Sequence, residues 1–327
     1  MADQVDSTST EAAMHSASPG AAGAPSLTSR YLGLIRFSHT IFALPFAALA
    51  CVFALVVPFT ASTLTPVTIA IRLVGVLVCM VSARSAAMAF NRLVDAQIDA
   101  ANPRTASRHL PAGLLTAMQV WSFFLITAGV FLGACLLFLP NWLPIALAIP
   151  VLAWICGYSF AKRFTAAAHL WLGMALAMSP LCAWVAIRGE EVISHPSDML
   201  PAVWLALAIA FWVAGFDIIY ACQDADFDRR LGLHSIPARL GVAGGLRLAA
   251  GLHLLMLIVL ARLPLYSQLS LGWLYYAGLL VVAGLVVRQH MLVSPTDLGR
   301  VNVAFFNINA MISFGLSLVA GLDAYLG

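Results

Sequence analysis

Residues Met88 to Gly113 read MAFNRLVDAQIDAANPRTASRHLPAG, and they directly follow a long apolar run. Within them Asn91, Asp95 and Asp99 recur at every fourth position, and Arg104 and Arg108 come after. An apolar run of about 20 residues spans a bilayer as a helix. The quoted stretch therefore sets an amide, two carboxylates and a set of arginines at the end of a membrane-length helix.

Composition decides which answers are open. The chain has 327 residues, 62% hydrophobic and 9% charged, with a mean hydropathy of +0.94. A soluble domain carries roughly a quarter charged residues, so this chain lacks the polar surface a soluble fold needs. Apolar runs recur along its whole length, and nine are predicted to be spans: 41–60, 67–90, 116–138, 142–160, 168–187, 200–222, 245–263, 270–288 and 303–325. The runs are continuous, without the alternation of a membrane β-barrel. The expected fold is all-α, an integral membrane bundle of nine transmembrane helices.

Residues 1–29 are small and polar and carry no apolar core. They are expected to form a disordered N-terminal tail ahead of a membrane domain over 30–327. Basic residues concentrate in the loops after even-numbered spans (Arg92, Arg104, Arg108, Lys162, Arg163, Arg229, Arg230, Arg239, Arg288, Arg300), against Arg72, Arg188 and Arg262 on the other side. Positive residues favour the cytoplasm, which puts the N-terminus and the motif loops of a multi-pass cell (inner) membrane protein there. The net charge of +3 belongs to that topology and, with no basic stripe, gives no reason to expect nucleic acid. The six cysteines form no CxxC pair, and the eight histidines no HExxH, so neither a disulfide framework nor a zinc site is expected.

The acids are the informative residues. Asp95 and Asp99 follow span two, and Asp217, Asp224, Asp226 and Asp228 straddle the end of span six in FDIIYACQDADFDRRLGLHS. Both groups lie on the same side of the membrane, four spans apart, as in an internal repeat. At about 100° per residue, Asn91, Asp95 and Asp99 span about 80° of one helix face, with Arg84 one heptad earlier on that face. Asp217, Asp224 and Asp228 fall within about 40° of one another if the helix continues that far, while Asp226 points away. A carboxylate in hydrocarbon costs about 3 kcal/mol, so these stripes must face the bundle interior or a wet cavity. Facing carboxylates repel unless cations lie between them, and ligand sets of oxygen alone suit Mg²⁺ shared with substrate phosphates. Solvated helix ends are the plainer reading, but they do not account for acids gathered in just two loops on shared faces.

A third signal is GYSFAKRFT, with Tyr158 and Lys162 four residues apart. Lys162 is the only lysine in the chain. Alone it is an ordinary topological charge, but beside two metal-binding stripes it becomes an anion clamp, a role also open to Arg104 and Arg108.

Together NRLVDAQID, YSFAK and DIIYACQDADFD resemble the two aspartate-rich motifs and the YxxxK motif of the UbiA superfamily of intramembrane prenyltransferases, and the 4-hydroxybenzoate polyprenyltransferase-like branch in particular. The similarity runs from about Arg30 to the C-terminus. It implies nine transmembrane helices arranged around a central polar cavity, and a prenyltransferase with Mg²⁺ as cofactor, whose partners are a polyprenyl diphosphate, an aromatic acid acceptor and membrane lipid, working in ubiquinone or menaquinone biosynthesis. Carried over, Asn91, Asp95, Asp99, Asp217, Asp224 and Asp228 serve the metal ions, and Asp95, Asp224 and Lys162 are central to catalysis. Tyr158, Lys162, Arg104 and Arg108 hold the diphosphate, and Arg84 meets the carboxylate of the acceptor. One departure is Arg92, where many members carry the first aspartate of N-D-x-x-D. It leaves the acceptor open between 4-hydroxybenzoate, a naphthoate of the futalosine menaquinone route, and another UbiA-type acceptor such as haem, chlorophyllide or a glycerol lipid. An ion-coupled transporter is the non-enzymatic alternative, but transporters place their acids near the membrane midplane, and here they cluster at one face.

Overall fold

A computed structural model describes residues 26–35, 44–60 and 64–327. The described chain is helical: α1 (Leu27–Leu34), α2 (Leu44–Val56), α3 (Pro66–Val94), α4 (Ala96–Ala101), α5 (Ala117–Ala134), α6 (Leu143–Ala161), α7 (Ala168–Ser194), α8 (Leu200–Ala221), α9 (Ala225–Arg230), α10 (Ile236–Tyr266) and α11 (Trp273–Met291). The last span runs through α12 (Val301–Val303), a π-helical turn (Ala304–Ile308) and α13 (Asn309–Leu326). Among the described residues eight helices are long and apolar enough to cross a membrane, and α2 is a shorter ninth. The first expected span, 41–60, loses 41–43 to the undescribed residues and ends as helix at Val56, just before Pro58. Of the expected tail 1–29, residues 1–25 lie outside the described ones, and Leu27–Ser29 open α1.

Local chemistry sets the helix starts. The Thr65 side chain accepts from the Thr68 N–H and Pro66 opens α3; Thr116 and Gln119 form a reciprocal capping box on α5; Ser235 caps α10 ahead of Pro237. Each device satisfies helix N–H groups that have no partner within the helix. The most buried span is α8, packed between α7 and α10. Small residues permit that approach, since a Cβ on Gly173 of α7 would stand 2.3 Å from the Ala210 carbonyl oxygen of α8. Close helix contact through small residues is how bundles associate in lipid, where apolar surface gains little by meeting another helix.

The end of the bundle away from the motifs is closed by buried charge. Arg72, 2% exposed, reaches Glu190 at 2.6 Å and the Ile187 carbonyl at 2.7 Å. Arg188, 1% exposed, pairs with Asp198 at 2.8 Å and donates to the carbonyls of Ala54, Val57 and Pro58. Thus Arg72 and Arg188, counted from sequence as loop charges, are internal braces with acidic partners.

Candidate active site

The two motif segments follow one plan. Helix α3 ends at Val94, Asp95 takes φ −91°, ψ 5°, and α4 carries Asp99. Helix α8 ends at Ala221, a 3-10 turn covers Cys222–Asp224, Asp224 takes φ −101°, ψ 5°, and α9 carries Asp228. The uninterrupted helix through Asp228 on which the shared-face geometry rested is therefore broken at the 3-10 turn. The outcome for the side chains survives the break. Asp99, Asp224 and Asp228 are buried at 5%, 7% and 3% exposure, while Asp226 is exposed and pairs with Arg229 outside the site.

A polar cavity of about 280 Å³ lies between these segments, lined by Asn91, Asp95, Asp99, Asp217, Asp224, Asp228, Tyr158, Lys162, Arg104 and Arg108. All six side chains expected to serve metal and all four expected to hold diphosphate thus meet in one space. The cavity is also lined by Arg92, Asn102, Ser159, Arg163, Tyr220 and Phe305. No motif reasoning singled these out as site residues, although Arg92 was visible as a departure and Asn102 stands beside Arg104 in NPRT.

Each motif aspartate has one basic partner. Arg104 donates from Nε and Nη2 to the two oxygens of Asp224 at 2.9 and 2.5 Å, and Asn102 Nδ2 adds a bond to Asp224 at 3.2 Å. Arg104 Nη1 also donates to the Tyr220 hydroxyl at 3.0 Å. Arg108 donates to Asp99 at 2.6 Å. Lys162 Nζ stands 3.9 Å from Asp228, and Arg163 stands 3.5 Å from Asp95. Asn91 donates to Asp95 at 2.8 Å, and Arg92 donates to the Asn91 side-chain oxygen at 3.0 Å. Burial, and then the neighbouring Asp99 carboxylate, lifts Asp95 above the usual carboxylate range, with Arg163 and Lys162 opposing. Burial alone would lower Arg104, but the hydrogen bonds and charge of Asp224 hold it above the ordinary arginine value.

Asp217 differs from the other acids. Its Oδ2 lies 2.6 Å from Nδ1 of His169, whose Nε2 accepts from the Ile236 N–H. That acceptor role places the neutral ring's proton on Nδ1, which donates to Asp217. Among the described residues no three His, Cys, Asp or Glu side chains converge on one metal position. The carboxyl oxygens Asp99 Oδ2 and Asp228 Oδ2 are nevertheless buried without a hydrogen-bond partner. Two hard oxygen donors on opposite motifs without a hydrogen bond, Asp228 Oδ2 facing only the Lys162 ammonium at 3.9 Å, fit Mg²⁺, which characteristically takes one or two carboxylates and fills its shell with water and substrate phosphate.

Beneath the polar cavity lies an apolar one of about 420 Å³, lined by α3, α5, α6 and α7. Met88, Tyr158 and Leu172 line both, which makes the two spaces adjoining parts of one site. Arg84 lines the apolar part, beside Tyr158. A charged head and a long apolar tail would each find a matching wall.

Known proteins share the sequence pattern and the fold of this chain. The model of the UbiA prenyltransferase family matches residues 50–311. A 4-hydroxybenzoate octaprenyltransferase of Nitrosomonas europaea is 38% identical over 160 residues, 48% of this chain and 51% of that protein. One from Vibrio parahaemolyticus is 33% identical over 159 residues, 48% and 52% of the two chains. The chain thus spans about half the length of the curated relatives it matches. Among solved structures, the apo form of a UbiA homolog from Aeropyrum pernix superposes with a TM-score of 0.74 at 30% identity, over 87% of this chain and 98% of that one. A UbiA homolog from Archaeoglobus fulgidus bound to GPP and Mg²⁺ shares the fold, with a TM-score of 0.57 at 19% identity over 89% and 99%. With a family model covering most of its length and a solved homolog aligned over nearly the whole bundle, the chain belongs to the UbiA prenyltransferase family.

Proposed function

We propose that the protein transfers a polyprenyl group from a polyprenyl diphosphate to an aromatic acid of the 4-hydroxybenzoate type, with Mg²⁺, as a step in quinone biosynthesis at the cytoplasmic face of the cell inner membrane. The observation that carries this reading is the pair of buried carboxylate oxygens without a hydrogen bond, Asp99 Oδ2 and Asp228 Oδ2, in a cavity that also holds basic side chains and adjoins an apolar one. The curated relatives are named for prenylation of 4-hydroxybenzoate. The basic residues gathered at the motif end favour the cytoplasm for that end.

Asp99 and Asp228, with Asn91, Asp95 and Asp224 around them, would hold the metal, and Asp217 supports the wall through His169. Bound Mg²⁺ would neutralise charge on the departing diphosphate. Lys162, Arg104 and Arg108, which line the polar cavity, would bind the phosphate oxygens, and Tyr158 stands where the polar and apolar walls meet. The allylic C–O bond breaks with its electron pair leaving on diphosphate, a ring carbon of the acceptor bonds the allyl carbon, and the ring loses a proton. The apolar cavity takes the prenyl tail and keeps water from the allyl cation. Arg84 offers a planar fork to the acceptor carboxylate.

The test is incubation of purified protein with a polyprenyl diphosphate, Mg²⁺ and a panel of aromatic acids, read by mass spectrometry. A prenylated 4-hydroxybenzoate is expected, lost on chelation with EDTA. Neither adduct nor diphosphate release with any acid would overturn the reading.

A further inference from the structure

The last span carries an irregularity that prenyl transfer alone does not account for. Between α12 and α13 the chain makes a π-helical turn, Ala304–Ile308. Such turns take in one residue more than a regular helix and recur at functional sites. Downstream, α13 buries Asn309, Ile312, Ser313, Leu316 and Ala320 on one face. Continued regularly, that face would take in Phe305, four residues before Asn309. The extra residue instead seats the small Ala304 in the core, 0% exposed, and leaves Phe305 on the wall of the polar cavity.

Two side chains hold the turn. Gln289 of α11 donates from Nε2 to the Ala304 carbonyl at 2.9 Å, and Asn309 donates from Nδ2 to the Phe305 carbonyl at 2.8 Å. The two amides are also tied together, Gln289 Nε2 to Asn309 Oδ1 at 3.2 Å, and Trp212 Nε1 of α8 donates to the same oxygen at 3.1 Å. Gln289 and Asn309 are fully buried, and neither lines the polar or the apolar cavity. Interhelical hydrogen bonds in a bilayer contribute little to stability on average. A cluster of them gathered at one turn therefore points to what that turn presents.

It presents a ring to other rings. The Phe305 centroid lies 4.3 Å from that of Tyr220 and 5.2 Å from that of Phe216. Tyr220 in turn meets Arg104 twice, its hydroxyl accepting from Nη1 at 3.0 Å and its ring centre lying 5.2 Å from the guanidinium carbon. We infer that Phe305 is a positioning residue, set by Gln289 and Asn309 through the π-turn, which braces Tyr220 so that Tyr220 fixes the direction of Arg104. This rests on the prenyl transfer reading above, in which Arg104 binds the donor, and adds to it residues of α11 and the last span that no motif marks. Arginine is a long side chain, and fixing it before the ligand arrives lowers the entropic cost of binding.

Donor kinetics of the purified full chain, with a polyprenyl diphosphate varied at fixed Mg²⁺ and acceptor, test this. Phe305→Ala and Gln289→Leu are each expected to raise the donor KM about tenfold, the scale of losing an outer-shell support, with the acceptor KM unchanged. Phe305→Tyr keeps the ring and should keep the donor KM near wild type. Because Gln289 acts through Phe305, Gln289→Leu combined with Phe305→Ala should be no worse than the worse single variant. Should Gln289→Leu not fold, Phe305→Ala combined with Tyr220→Ala supplies the same cycle. A merely structural role would lower the midpoint of thermal unfolding and leave the donor KM of the folded molecules alone. An unchanged donor KM in Phe305→Ala, or losses that add in the double variant, overturns the inference and leaves prenyl transfer standing. No product from the wild type with any donor removes both readings.

Discussion

Asp95 and Asp224 occupy equivalent corners of the bundle, the one at φ −91°, ψ 5° after α3 and the other at φ −101°, ψ 5° after α8, and each is followed four residues later by a buried aspartate. The repeated bend carries the chain across the mouth of the cavity, so that both carboxylates of each segment line it. Alanine at Asp95, Asp99, Asp224 or Asp228 is expected to lower kcat on the order of 10²-fold or more, the scale seen when one preorganised electrostatic contact is removed. Asp226→Ala should stay close to wild type, because that side chain is exposed and bonded to Arg229. Steady-state kinetics on the five variants check this, and equal losses at Asp226 and Asp224 would contradict the cavity assignment.

Lys162 closes α6 on the opposite wall and stands 3.9 Å from Asp228, beyond hydrogen-bonding range. An ammonium held this loosely and 40% exposed is free to turn toward phosphate. Lys162→Ala should raise the donor KM roughly tenfold, in line with the loss of one charge-assisted contact, and leave the acceptor KM near wild type. Unchanged donor kinetics would return Lys162 to a purely topological role.

The spans were readable because a bilayer demands about 20 apolar residues, and that demand overrides finer propensities. The candidate site was legible for a related reason: an oily chain keeps few acids, and two clusters at matching helix ends stand out against it. The bend at Cys222–Asp224 was not readable, since no proline or glycine marks it. The ion pairs were hidden as well. Arg104 lies 120 residues from Asp224, and their meeting depends on how the segment after Asn102 folds back, which neither periodicity nor spacing encodes. Arg72 and Arg188 looked like loop charges because sequence alone does not reveal that Glu190 and Asp198 lie within reach.

Arg188 provides a test of the far end. Its guanidinium binds Asp198 and three carbonyls at the end of α2, and lies 4.3 Å from the centre of the Phe59 ring. Arg188→Ala strands a carboxylate 9% exposed and several backbone acceptors, which costs about 3–5 kcal/mol for a buried pair. A lower midpoint of thermal unfolding in detergent is expected, with turnover per folded molecule unchanged. Arg188→Met combined with Asp198→Leu should recover part of the loss, because no unpaired charge then remains.

Arg84 lies inside α3, two turns before Asn91, and lines the apolar cavity beside Tyr158. Holding a guanidinium at that depth is expensive, and a membrane protein keeps such a charge where it has work to do. Its position just below the polar cavity would set the carboxylate of an aromatic acid there and bring the ring up to the allyl carbon near Tyr158. Two parallel N–H···O bonds would fix the ring's orientation as well as its position, which is the larger part of the catalytic benefit. Arg84→Lys keeps the charge but replaces the fork by a point. The acceptor KM should then rise about tenfold or more, while the donor KM holds, since the phosphate-binding side chains are untouched. Methyl 4-hydroxybenzoate, which lacks the carboxylate charge, supplies the complementary measurement: it should be a poor acceptor for wild type and no worse for the variant. If Arg84→Lys instead weakens donor use, or discriminates between the acid and its ester as strongly as wild type does, Arg84 is a structural charge and the acceptor carboxylate is bound elsewhere.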